Sequence, residues 1–368
     1  MKLLVIFMPF KNFMSSKELN NSLNYLNDLR HVKTTKIPYS DGGGSLLEIF
    51  NDKNTLIKKI KILDCFNRKN FCQILINKKK KFGLFELKDT MGQIKGIDKD
   101  PLKRSSYGVG QVIIKLSEYN LKKIYIGTGG SINTDCGIGM AHALGLKFYD
   151  KKNNLLNKSQ TFFHARYLDE IKKIDNFNLK KKLKKIQFCL ISDSSVRLCG
   201  KNGQINVFSK QKKIIKKDQK NLSKSFEKMK KIFELNSNKN FNIPYLGSGG
   251  GVSSMIYFIF KSNLIDGAKF IFKKQQLSYQ IKKNDIIISG EGIIDKTTFK
   301  GKGLSKIIAA SKKYKKKLYL ITGKSRLKKI KYGNVIDLNY KKIPSKVNFI
   351  ETLKKKVNSI VIANEKKN

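Results

Sequence analysis

The apolar residues of this chain come in short runs separated by lysine-rich stretches, and their spacing alternates between strand and helix periods. Residues 2–10, with Leu3-Leu4-Val5-Ile6-Phe7-Met8-Pro9-Phe10 unbroken, predict a buried first strand. Leu19, Leu23 and Leu26 follow at helical spacing and predict a helix over 15–30. After Ile37-Pro38-Tyr39 comes Ser40-Asp41-Gly42-Gly43-Gly44-Ser45, then a helical stretch over 46–50. Residues 56–90 alternate apolar runs, such as 71–76 and 82–87, around a lysine tip at 78–81, the pattern of antiparallel hairpins.

A helix over 108–118 then leads to a strand at 123–126, a glycine turn at 127–130 and a helix at 137–144. Residues 151–187 are lysine-rich and read as helical, and 188–191 is a buried strand ending at Ser192-Asp193. Basic and apolar positions alternate over 214–235 as on a solvated helix, and the Asn-rich stretch 236–242 reads as a linker. The remainder predicts a helix at 253–263, a strand at 285–289 running into Gly290-Glu291-Gly292, a helix at 303–315, a strand at 317–322 and a last apolar run at 360–363. Alternating β and α elements at both ends, around a middle with hairpins, imply a parallel-sheet domain interrupted by a second domain. A length of 368 residues suits two domains, each large enough for its own core.

Composition narrows the function classes. No apolar run approaches the ~20 residues that span a bilayer. The opening run lacks a small-residue cleavage site and meets Lys11 at once, so it reads as a strand rather than a signal peptide. Lys and Arg number 77 against 27 acids, a formal charge of +50, which by itself raises nucleic acid as a partner. Only six of those bases are arginines, the residue preferred for forked phosphate and base contacts. Lysine is spread over nearly every predicted surface helix, without one stripe of interleaved aromatics. The excess of Lys, Asn and Ile fits compositional drift better than a selected polyanion surface, though such a field would draw in small anions. Five cysteines without a C-x-x-C pair, and three histidines without metal-ligand spacing, argue against a disulfide framework and a zinc ribbon. A reducing cytoplasm is the expected setting.

Four glycine-rich turns follow predicted strands and precede helices: 42–44, 127–130, 247–251 and 290–292. Free N–H groups and close backbone approach at such places favour phosphate or carboxylate, and four in one chain point to a site for polyanions. Neither common nucleotide fingerprint is complete. Gly323-Lys324-Ser325 follows a strand, but Leu318 stands where a Walker-type loop needs its first glycine. Ile132 and Asp295 likewise fill the last glycine position of G-x-G-x-x-G, which disfavours a dinucleotide-dependent dehydrogenase. Acids sit beside the turns at Asp41, Asp135, Asp193, Glu291 and Asp295. Carboxylates at strand ends can hold Mg²⁺ or take a proton from an attacking hydroxyl, or simply cap a loop. Lys11 and Lys302 lie beside turns as well.

Together these segments strongly resemble the bacterial type I glycerate kinase family. The likeness rests on Tyr107-Gly108-Val109-Gly110, Gly129-Gly130-Ser131 with Asn133 and Asp135, Gly290-Glu291-Gly292 with Asp295, and Gly301-Lys302, in this order. It extends to Phe10-Lys11, Asp41-Gly42-Gly43, Pro101-Leu102, Ser192-Asp193, Leu198 with Gly200, Phe208 and Gln211-Lys212, nearly the whole chain. The resemblance implies ATP- and Mg²⁺-dependent phosphorylation of D-glycerate, usually at the 2-position. It implies an α/β fold of two domains with the active cleft between them. One would be Rossmann- or flavodoxin-like, built from residues 1–65 and 280–368, and the other an α/β insertion over 66–279.

By position, the resemblance makes Lys11, Asp41, Asp193 and Lys302 the catalytic candidates. Asp41 or Asp193 would accept the glycerate proton, while Lys11 and Lys302 would neutralise the substrate carboxylate and the transferring phosphoryl group. Glu291 and Asp295 would hold Mg²⁺. Gly42, Gly43, Gly129, Gly130, Ser131, Asn133, Asp135, Gly290 and Gly292 would line the substrate and phosphate sites. The expected partners are glycerate and ATP, with a homo-oligomer left open, and with neither a membrane nor a nucleic acid. The chain departs from the family pattern at Met8, in place of an acid, at Gly44 and Ser45 in an Asp-Gly-Gly-Glu-Gly turn, and at Ile293 in place of an arginine. Segments at Val196-Arg197 and Ser209-Lys210 are altered too. Those departures keep two alternatives beside a glycerate kinase: a diverged kinase of another small hydroxy acid, or an inactive homologue. A basic polyanion-binding protein is the alternative from another class.

Overall fold

The structure, a computed structural model, describes residues 1–10, 13–92, 100–156, 162–296, 298–299, 303–327 and 330–365. The chain divides into two compact units, residues 1–41 with 267–368, and residues 42–266. The first unit opens with β1 (Lys2–Phe7), α1 (Ser16–Asn21) and β2 (Lys33–Lys36). The helix expected over 15–30 breaks after Asn21 and continues as a 3₁₀ turn, Asn24–Asn27. The Ser22 hydroxyl donates to the Leu19 carbonyl there at 2.8 Å, competing for the backbone, and the Asn20 side chain accepts from the Phe7 N–H at 3.4 Å. Leu19, Leu23 and Leu26 are nevertheless all buried, so the apolar spacing holds across the break.

The second unit begins with α2 (Leu46–Phe50) and the antiparallel strands β3 (Thr55–Leu63), β4 (Lys69–Asn77) and β5 (Phe82–Glu86). Helices α3 (Leu87–Met91) and α4 (Tyr107–Leu116) precede β6 (Lys123–Gly127) and α5 (Ile138–Ala143). A small hairpin, β7 (Lys147–Tyr149) with β8 (Lys173–Asp175), precedes α6 (Lys181–Lys184) and β9 (Gln187–Ser192). Helices α7 (Gln204–Phe208), α8 (Lys216–Leu235) and α9 (Val252–Ile259) lead to the closing strand, β10 (Ser262–Asp266). Its sheet runs β10-β9-β6-β5-β4-β3. The first four strands are mutually parallel and the β3–β4 hairpin forms an antiparallel edge.

The chain then returns to the first unit through α10 (Gly267–Lys274), α11 (Leu277–Lys283), β11 (Ile286–Gly290) and the two-residue strand β12 (Ile293–Ile294). Helix α12 (Gly303–Lys313), β13 (Lys317–Thr322), the short β14 (Lys324–Ser325), β15 (Asn334–Asp337) and the long α13 (Lys346–Glu365) complete it. Its sheet runs β15-β13-β11-β1-β2, parallel throughout. The apolar residues of β1 and β11 are buried on both faces, as the centre of a helix-covered parallel sheet requires. Both units are thus α/β, one parallel and one mixed. Among the described residues no helix is long and apolar enough to cross a membrane.

Three sequence expectations need correction. The boundaries fall at 41/42 and 266/267 rather than 65/66 and 279/280, because β3 pairs along its whole length with β4 inside the second sheet. The described residues of 151–187 hold the strand β8, short turns and the four-residue α6 instead of a continuous helix, with Phe163, Leu168, Ile174 and Leu183 all buried in the core of the second unit. The expected linker at 236–242 lies within the second unit, where buried Phe241 packs 5.1 Å, ring to ring, from Phe233 of α8.

Candidate active site

In the second unit, β5, β6 and β9 end level with one another: Glu86 pairs with Gly127, and Gly127 with Ile191. Carboxyl ends of parallel strands are where α/β sheets bind ligands. Two glycine turns and a strand end meet there. A Cβ built on Gly129 would lie 2.5 Å from the Gly43 Cα and 3.3 Å from the Asp193 carboxyl carbon. One on Gly42, whose φ is +99°, would lie 3.1 Å from the Ser192 carbonyl carbon. The 42–44 turn, the 127–130 turn and the Ser192-Asp193 strand end are therefore in backbone contact, a closeness that side chains at 42 and 129 would prevent.

The fourth segment of this unit closes the same group. The Ser192 and Ser248 hydroxyls share a 2.5 Å hydrogen bond, and the Thr128 N–H donates to the Ile191 carbonyl at 2.9 Å. A Cβ on Gly250, at φ +67°, would meet the Asn133 carbonyl oxygen at 2.2 Å. Ser131 is buried, and Gly130 is exposed.

Asn133 and Asp135, placed by resemblance among ligand-lining residues, are wholly buried and occupied with their neighbours. Asp135 Oδ2 accepts from the Ser106 N–H and hydroxyl, both at 2.7 Å, and from the Gly139 N–H at 3.2 Å. Its Oδ1 accepts from the Asn133 amide at 2.6 Å and the Gly137 N–H at 3.2 Å. Burial raises the Asp135 carboxyl above the usual range, against the pull of these donors. The side chain braces the start of α5 against the start of α4 and so shapes the turn from behind.

Sequence reasoning missed three charged groups here. Lys212 is buried, its ammonium donating to the Asn133 carbonyl at 2.6 Å, and burial pushes its pKa down to about 7. Asp135 pulls that value back up and Arg104 pushes it lower. Arg104, also buried, donates to the carbonyls of Ile132 and Lys212 at 3.1 and 2.9 Å. Glu86, at the end of β5, accepts from the Leu46 N–H at 3.3 Å and pairs with Lys88 at 3.3 Å. Burial raises the Glu86 carboxyl, and Lys88 opposes the shift. An acid closing an apolar strand was the available signal, but no glycine turn follows Glu86 to mark it.

In the first unit, Gly290 ends β11 so close to its neighbour that a Cβ would lie 1.8 Å from the Ile321 carbonyl oxygen. The Thr298 hydroxyl donates to Glu291. Thr298 also exchanges hydrogen bonds of 3.1 Å with the Asp295 backbone. One buried threonine thus ties both half-buried acids, Glu291 and Asp295, to a single turn after Gly292. Asp41 is buried, and Lys11 and Lys302 lie outside the described residues. Met8, where the family pattern has an acid, is core: Gly303 is so near that a Cβ there would meet its methyl at 2.8 Å. Among the described residues no group of three or more His, Cys, Asp and Glu forms a metal cluster.

The model of the glycerate kinase family matches residues 3–365. A glycerate kinase of Neisseria meningitidis serogroup B is 24% identical over 307 residues, 82% of this chain and 80% of that protein. The Escherichia coli K12 glycerate 2-kinase is 30% identical over 230 residues, 61% of this chain and 58% of its own length. A crystal structure of a candidate glycerate kinase 2 from Salmonella typhimurium LT2 has the same fold. Its TM-score is 0.80 at 22% identity, covering 100% of this chain and 99% of that one.

Proposed function

The chain belongs to the glycerate kinase family, and from that premise we propose that it transfers the γ-phosphoryl group of ATP to D-glycerate, releasing ADP and a phosphoglycerate. The observation that carries the proposal is the backbone contact of the 42–44 turn, the 127–130 turn and the Ser192-Asp193 strand end. Such transfer depends on positioning and on dipoles aimed at the phosphoryl charge, and clustered glycine turns let backbone approach a ligand without side chains in the way. The glycerate hydroxyl would lose its proton to a carboxylate as its oxygen bonds to phosphorus and the bond from the γ-phosphorus to the bridging oxygen breaks. Asp193, half-buried with its carboxyl carbon against the Gly129 position, is the foremost acceptor for that proton, and Asp41 the second. We assign the 2-hydroxyl as acceptor, a reading supported by the name of the Escherichia coli relative.

Glu291 and Asp295 would suit Mg²⁺: two residues with hard carboxylates on one turn, Thr298 binding the Glu291 side chain and the Asp295 backbone, to be completed by phosphate oxygens and water. Bound Mg²⁺ would neutralise phosphate charge. Lys11 and Lys302 are proposed to offset the charge of the carboxylate and of the transferring group. The five strands of the first unit's main sheet, numbered within that sheet, lie in the order 2-1-3-4-5, which supports the flavodoxin-like reading.

A kinase of another small hydroxy acid is the second reading, favoured by the apolar packing of Met8 and by exposed Ile293 where the pattern has charges. Thermal unfolding with Mg-ATP or with each acid tests both readings. A ligand at a hundred times its Kd should add ~2.7 kcal/mol of stability. Stabilisation by D-glycerate favours the first reading, stabilisation by another hydroxy acid alone the second, and none by any ligand overturns both.

A further inference from the structure

Lys88 stands between two of the glycine turns just described. A Cβ on Gly44 would lie 3.4 Å from its ammonium nitrogen, and one on Gly130 would lie 3.0 Å from its own Cβ. Its stem therefore lies along the exposed Gly130, and its charge sits over a residue that has no side chain. Glu86 fixes the ammonium from below: the pair is 3.3 Å apart, with the lysine side chain 39% exposed and the glutamate 4%. The second acid near Lys88, Asp89, attracts its charge as well and accepts a hydrogen bond from the Gln73 backbone. An ammonium has three donors, and the contact with Glu86 engages one. The pair is thus a charge held by a buried partner, with its outer face at the carboxyl ends of β5 and β6.

We propose that Lys88 is a further substrate-binding residue, taking an anionic oxygen of a bound substrate over Gly44, and that Glu86 positions it. The inference rests on the kinase reading and adds to it a group that composition hides, since one lysine among so many draws no notice. Two anions share the required chemistry, the carboxylate of the hydroxy acid and a phosphate of the nucleotide, and steady-state kinetics separates them.

The experiment compares full-length wild type with Lys88→Met, Lys88→Arg and Glu86→Gln, measuring ADP release while D-glycerate and Mg-ATP are varied in turn. Thermal melting checks that each variant is folded. Loss of a charge-assisted hydrogen bond should raise one KM ~10-fold or more in Lys88→Met, with kcat changed less. A rise for D-glycerate identifies the carboxylate, and a rise for Mg-ATP the phosphate. Lys88→Arg should restore much of the loss, and Glu86→Gln should raise the same KM by a smaller factor. Both KM values unchanged in folded Lys88→Met, or both raised equally, would overturn the assignment while leaving the kinase reading intact. A wild type that phosphorylates no hydroxy acid would instead overturn the reading beneath it.

Discussion

The ammonium of Lys212 donates a 2.6 Å hydrogen bond to the carbonyl of Asn133, joining two buried residues that lie 79 positions apart. The bond ties the segment after α7 to the turn that carries Asp135, so the glycine turns rest on a polar core rather than on apolar packing alone. Because burial lowers the Lys212 pKa from 10.5 to about 7, the folded protein releases this proton at a lower pH than the unfolded chain does. Between those values the unfolded state binds more protons, and stability rises with pH. Wild type should gain on Lys212→Met by up to ~1.4 kcal/mol per pH unit across that window. Below it the difference should be flat. Urea denaturation of both proteins at several pH values measures this.

Asp135 and Asp193 should respond to the same substitution in opposite ways. Asp135→Asn turns an amide toward donors that a carboxylate now accepts from, inside a buried network. It should cost about 3 kcal/mol of stability. Activity per folded molecule should change little, as denaturation curves read beside active-site-normalised rates would reveal.

Asp193→Asn, at a half-buried carboxylate, should leave the melting temperature near that of wild type and lower kcat by ~10²-fold or more. Asp41→Asn should do the same if it is the proton acceptor instead. Whichever variant keeps near-wild-type kcat is removed from that role.

Gly129→Ala brings a methyl to 2.5 Å from the Gly43 Cα, where backbone rather than a flexible side chain must move. Overpacking of this kind costs ~1–3 kcal/mol. A shift of about 1 Å between the two turns should lower kcat/KM by up to ~10²-fold. Melting temperature and kcat/KM, measured together, should both fall.

The strands at the centres of the sheets were legible because β1, β9, β11 and β13 carry near-continuous apolar runs, and the hairpin at 55–86 because its lysine tip interrupts two such runs. The site turns were legible through glycine, the residue that close backbone approach demands. What could not be read is what depends on distant partners. β3 carries exposed Lys58, Lys59 and Lys61, which give no sign of which sheet the strand joins, so a boundary after β3 reads as well from sequence as the true one before it. Asp135 in sequence looks like any acid beside a glycine turn, and only its five donors reveal a brace. Lys88 and Lys212 are hidden by composition; burial singles out Lys212, and the contact with buried Glu86 singles out the exposed Lys88.

The most direct test of the central claim is a coupled ADP-release assay with Mg-ATP and D-glycerate, with L-glycerate, glycolate and no acceptor as controls, followed by phosphorus NMR of the product. Turnover should require D-glycerate and yield a single phosphomonoester, 2-phosphoglycerate. Absence of turnover with D-glycerate, from protein shown to be folded, would contradict the claim.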